Sequence, residues 1–120
     1  MLFGRKSGGP MSPGTPPRVQ LGPADLKDGE LRPYEAGGRF ILVTRLGSRH
    51  FAIDDRCNHA GCFLSSGWLE GRDVVCPCHE HRFDIETGRN ATIPRLCGDQ
   101  QAFPLTIENG RIVVTILDPE

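Results

Sequence analysis

Residues 74–84 read VVCPCHEHRFD and contain two overlapping Cys-x-x-His pairs. One is Cys76 with His79. The other is Cys78 with His81. A single centre takes one such pair from one loop, so a register has to be chosen. Upstream, residues 57–62 read CNHAGC, a second loop rich in Cys and His. Cys57-x-His59 is followed after 16 residues by Cys76-x-x-His79. Four of the five cysteines lie between Cys57 and Cys78, so the chemistry of the chain is concentrated there.

The rest of the composition narrows the options. A chain of 120 residues is enough for one domain with a modest core. Fourteen basic and fifteen acidic side chains nearly cancel, which gives no field directed at nucleic acid or an anionic membrane. No apolar run approaches the ~18 residues of a membrane helix. Arg5 and Lys6 are not followed by an apolar stretch, so no secretory signal is expected and a cytoplasmic protein is the default. Five cysteines in such a chain favour metal or redox chemistry over a disulfide framework.

Residues 1–23 hold five Gly and five Pro, and residues 1–17 are expected to be a flexible tail. Its PGTPP stretch suits polyproline II conformation. From residue 18 to the end, one domain of short β-prone runs is expected. RVQL (18–21) is a first strand. RFILVTRL (39–46) and RHFAID (49–54) form a hairpin about Gly47-Ser48. GWLEGRDVV (67–75) turns near Gly71. RFDIETGR (82–89) alternates Phe83 and Ile85 on one face before a turn at Thr87-Gly88. AFPLTIENGRIVVTIL (102–117) gives two strands about ENG. No long apolar period of 3.6 residues occurs, so the fold class is all-β, a sandwich or barrel. Trp68 and Phe51 are read as core, and Asp54 and Asp55 as turn-forming residues before the first loop. Cys97 is read as a buried thiol without a partner. His50 is placed in a strand as a surface or half-buried side chain, and His81 in a loop as a solvated one.

Two thiolates and two imidazoles suit tetrahedral zinc or a [2Fe–2S] cluster of mixed ligation. Zinc modules usually supply Cys-x₂₋₄-Cys and His-x₃₋₅-His pairs, whereas each loop here gives one Cys and one His. A cluster with two inequivalent irons fits that split.

On these residues, CNHAGC followed by VVCPCHEHRFDIETG, the chain resembles the Rieske [2Fe–2S] proteins over roughly residues 18–117. The resemblance implies an antiparallel β-sandwich or barrel with a small cluster-binding subdomain, about residues 56–94, inserted between strands. It implies that Cys57 and Cys76 ligate one iron and His59 and His79 the other. In the family the second loop reads Cys-Pro-x-His, Gly, two further residues, then Phe or Tyr and Asp. Only the Cys76/His79 register puts Phe83-Asp84 at that offset. Pro94, in ATIPRL, falls where the family has a proline loop over the cluster. Cys62 and Cys78 match the loop-to-loop disulfide of cytochrome bc Rieske proteins.

Two departures from the family pattern stand out. Its usual Gly after the second His is Glu80, which suggests a different local turn. Positions that carry Ser and Tyr hydroxyls in high-potential members are His81 and Phe83. Phe donates no hydrogen bond, so a potential at the low end of about −150 to +300 mV is expected. The implied function is a one-electron carrier, a ferredoxin passing electrons from a reductase to an acceptor such as an oxygenase, with no catalytic residue of its own. The alternatives are a small subunit of a larger, nitrite-reductase-like enzyme and a zinc-binding interaction module.

Overall fold

The computed structural model describes residues 16–57, 61–78, 80–92 and 98–117. The proposed ligands His59 and His79 lie outside the described residues, as do Pro94, Cys97 and most of the N-terminal tail.

The described chain forms ten strands: β1 (Arg18–Pro23), β2 (Leu31–Ala36), β3 (Arg39–Leu46), β4 (Arg49–Asp54), β5 (Trp68–Glu70), β6 (Asp73–Val75), β7 (Arg82–Asp84), β8 (Ala102–Phe103), β9 (Leu105–Glu108) and β10 (Arg111–Thr115). They pair antiparallel in three sheets, β2-β3-β4-β8, β1-β10-β9 and β5-β6-β7. The only helix among the described residues is a 3₁₀ turn, Leu64–Ser66. None is long and apolar enough to cross a membrane.

The central sheet is apolar on both faces, which explains the unbroken run FILV in β3. Ile41 and Val43 point into one core with Ala52, Phe103, Ile112 and Val114. Leu42 points into the other, with Phe51, Ile53, Leu64, Val74, Phe83 and Ile85. Strand alternation thus divides one strand between two cores. The second core also contains Cys57 and Cys76. β4 pairs with β8 across residues 55–101, so the β5-β6-β7 sheet is an insertion between neighbouring strands, as the resemblance implies.

The expected hairpins are present. Leu46 faces Arg49 across Gly47-Ser48, Glu70 faces Asp73 across Gly71-Arg72, and Glu108 faces Arg111 across Asn109-Gly110. Gly47, Gly71 and Gly110 have positive φ, as does Asn109 at 54°. That is the backbone of tight hairpin turns, where Asn-Gly is favoured. The turn at Thr87-Gly88 is also formed. Asp84 Oδ1 accepts from the Glu86 and Thr87 N–H groups, and Gly88 N–H donates to the Asp84 carbonyl. A Cβ at Gly88 would lie 2.0 Å from the Gln100 carbonyl oxygen.

Sequence reading missed β2 and merged β8 with β9. β2 contains Pro33, which tolerates a strand here because β2 is the edge of its sheet. Pro104 separates β8 from β9 and marks where the chain leaves the central sheet for the outer one. Trp68 is not core: it is 41% exposed, while its neighbour Leu69, facing Val74, packs inward.

Candidate metal centre

Each Cys/His loop is the closing segment of an antiparallel pair. Arg56 bridges Phe63, which leaves residues 57–62 as the first loop. Val75 pairs with Arg82, which leaves residues 76–81 as the second. Both are closed by the same two backbone hydrogen bonds. In the first, Cys57 N–H donates to the Cys62 carbonyl (2.7 Å) and Gly61 N–H to the Cys57 carbonyl (2.8 Å). In the second, Cys76 N–H donates to the His81 carbonyl (2.9 Å) and Glu80 N–H to the Cys76 carbonyl (2.8 Å). The fifth residue of each loop has positive φ, 73° at Gly61 and 57° at Glu80. The different turn expected at Glu80 is therefore not found. A glutamate adopts the backbone that suits glycine, because the loop closure imposes it.

The cysteines sort into two kinds. Cys62 and Cys78 form a disulfide with a Cα–Cα distance of 6.4 Å, inside the span a bridge requires. Cys57 and Cys76 stand outside it, both buried and both in one core. They are the first residues of the two loops and thus occupy equivalent places. A Cys78/His81 register would need a sulfur that the disulfide already uses. Two buried thiols at matching positions fit the chemistry of a cluster that takes one cysteine from each loop.

The supports of the two loops differ. Buried Asp55 holds the first from below: its Oδ1 accepts from Ser65 N–H and its Oδ2 from the Ser65 hydroxyl, both at 2.7 Å. Asp54 accepts from Arg56 N–H, and burial pushes its carboxyl above the usual range. The Gln100 side-chain amide donates to the carbonyls of Asp54 (2.8 Å) and Arg56 (2.7 Å). Gln100 escaped sequence reading, because a lone glutamine 43 residues after Cys57 carries no local signal.

The second loop rests on the β6–β7 ladder, above Phe83, which is fully buried. His81 is not solvated but only 2% exposed. Its carbonyl closes the loop, which places the residue at the base and not the tip, and its ring stacks on Phe83 at 6.5 Å between centroids. Arg82 continues into the following segment: its N–H donates to Thr92 Oγ1 (2.7 Å), and its carbonyl accepts from Ala91 N–H (2.8 Å). On the outer face, Trp68 Nε1–H and Arg82 both bind the Glu70 carboxylate and hold it below its ordinary pKa.

Comparison with known proteins agrees with this architecture. The ferredoxin component of the naphthalene 1,2-dioxygenase/salicylate 5-hydroxylase systems of Ralstonia sp is 33% identical over 90 residues, covering 75% of this chain and 86% of that one. The ferredoxin of carbazole 1,9a-dioxygenase from Nocardioides aromaticivorans superposes with a TM-score of 0.76 at 28% identity, over 82% of this chain and 96% of that one. A ferredoxin in complex with its oxygenase, also of carbazole 1,9a-dioxygenase, gives a TM-score of 0.73 at 28% identity, over 81% and 100% of the two chains. The model of the Rieske [2Fe-2S] domain matches residues 18–104, and the chain belongs to that family.

Proposed function

We propose that this chain is a ferredoxin that carries single electrons from a reductase to an oxygenase. The observation that supports this most directly is the pair of buried thiols, Cys57 and Cys76, at equivalent places in two like-shaped loops. With His59 and His79 they would hold a Rieske-type [2Fe–2S] cluster. When bound, such a cluster takes up and gives back one electron. The described residues shield and hold that place. Leu64, Val74 and Phe83 keep water from the thiol side, and the Cys62–Cys78 bridge ties the loops together. The oxygenase acceptor is suggested by the relatives, which are components of dioxygenase systems, and by the ferredoxin found in complex with its oxygenase. In this reading the carrier unit spans residues 18–120, residues 1–17 are a tail, and the protein acts in the cytoplasm.

The test compares two cysteines two residues apart. Cys76→Ser should abolish the visible absorption and the Rieske-type electron paramagnetic resonance signal of the reduced protein. Cys78→Ser should retain both, as should a chain lacking residues 1–17. A zinc-loaded, colourless wild type would overturn the carrier reading. Loss of the signal in Cys78→Ser together with its survival in Cys76→Ser would overturn the ligand register. Cell fractionation that places the chain outside the cytoplasm would remove that part of the reading. Voltammetry should give a potential near the low end of about −150 to +300 mV, because Phe83 offers no donor.

A further inference from the structure

Among the described residues outside glycine, only Asn109 and Glu80 have positive φ. Asn109 sits in a tight Asn-Gly turn that favours it. Glu80 has no such excuse, since a long side chain resists the left-handed region. Strain of this kind persists where the surrounding structure imposes it, as the loop closure does here, and it clusters at functional sites.

Among the described residues, no contact of the side chain accounts for it. Glu30, Glu70, Glu86 and Glu108 are all paired with arginines. The Glu80 carboxylate is exposed and meets no donor and no arginine among the described residues. Glu35 is likewise outside an ion pair, but it lies in β2 with ordinary strand geometry. Among the described glutamates, Glu80 alone is both strained and unpaired. It directly follows His79, so its charge stands at the second loop. At the first loop the equivalent position faces a cation instead: the Arg56 guanidinium would lie 3.7 Å from a Cβ at Gly61, with Asp54 and Asp55 behind it at the loop's root.

We infer that Glu80 is a docking residue, and that the redox partner presents a cationic group to the second loop. The inference rests on the carrier reading. The Glu80 carboxylate attracts that group and orients the encounter, while the like-shaped first loop, flanked by Arg56, turns the same group away. A partner with such a face is steered into one of two possible registers over the loops.

The probe is a pair of one-electron oxidants of opposite charge, hexaammineruthenium(III) and hexacyanoferrate(III). Each takes one electron from the reduced protein and becomes the corresponding divalent metal complex. Stopped-flow rates are compared for wild type and Glu80→Gln, with the midpoint potential and Tm of each measured alongside. At low ionic strength Glu80→Gln should slow the cationic oxidant about threefold and leave the anionic one equal or faster, after correction for driving force. The difference should vanish in ~1 M salt. The Tm should be unchanged, since Gln keeps the same backbone strain.

Equal rates for wild type and Glu80→Gln with the cationic oxidant would overturn the docking role while leaving the carrier intact. A fall in Tm on Glu80→Gln would also overturn it, by revealing an internal partner for the carboxylate. Absence of the reduced-cluster signal in wild type would overturn the carrier reading, and this inference with it.

Discussion

The loops 57–62 and 76–81 have the same closing hydrogen bonds and the same left-handed fifth residue, but they reach that shape by different means. The first is closed by an isolated Arg56–Phe63 bridge, with little ladder behind it. Side chains make up the difference: Asp55 grips Ser65, and Gln100 caps two carbonyls at the loop's root. Its left-handed residue is Gly61, for which that backbone is easy. The second loop sits on three consecutive β6–β7 pairs, with Thr92 Oγ1 accepting from Arg82 N–H just beyond it. Its left-handed residue is Glu80. The backbone shape is therefore set by the closure, and residue type decides only the energy at which it is held. The loop with the firmer base is the one that carries the strained residue.

The largest effect should come from cutting the link between the loops. Replacing both Cys62 and Cys78 by Ser removes a bridge across a sequence separation of 16 residues. That should cost about 3 kcal/mol, read from denaturant unfolding of the disulfide-intact and variant proteins. An unchanged midpoint would mean that the two loops hold each other without the bridge, and that their separate supports are sufficient.

A smaller effect should separate the two supports. Gln100→Leu leaves the partly buried Asp54 and Arg56 carbonyls without the donor that the buried Gln100 supplies. The expected cost is about 2 kcal/mol. Hydrogen exchange gives the sharper measurement: the Gly61 amide, which closes the first loop, should exchange faster, and the Glu80 amide should not. Equal acceleration of both amides would show that the loops open as one unit, against the division drawn above.

These contrasts also explain what was legible in the sequence. The hairpins at Gly47, Gly71 and Asn109-Gly110 could be read because local turn chemistry determines them. The metal chemistry could be read because ligand residues cannot be exchanged for others. The choice of Cys76 over Cys78 as a ligand comes from family resemblance; among the residues themselves both pairs are equally good. What stayed hidden depends on contacts distant in sequence. Gln100 reaches back to Asp54 and Arg56, and nothing near it announces this. Trp68 was misplaced because hydrophobicity alone does not tell which face of a three-residue strand points inward. His81 was misplaced because a loop residue is presumed wet, whereas its carbonyl closes the loop and draws the ring down onto Phe83.

The smallest effect has the opposite sign. A left-handed backbone costs a residue with a Cβ roughly 1–2 kcal/mol, and glycine offsets part of that gain through the greater freedom of its unfolded chain. Glu80→Gly should therefore stabilise the protein by about 0.5–1 kcal/mol, a rise of a few degrees in Tm. Gly61→Ala is the mirror experiment. Among the described residues a Cβ there meets the Arg56 side chain alone, at the ordinary contact distance of 3.7 Å, so its cost is mainly conformational, about 1 kcal/mol of destabilisation. Opposite signs at two matched positions would establish that the loops share one backbone and differ in the residue placed on it. A loss of stability in Glu80→Gly would mean that the glutamate side chain contributes more to folding than the left-handed backbone costs, and the second loop would then be held by its fifth residue as much as by its ladder.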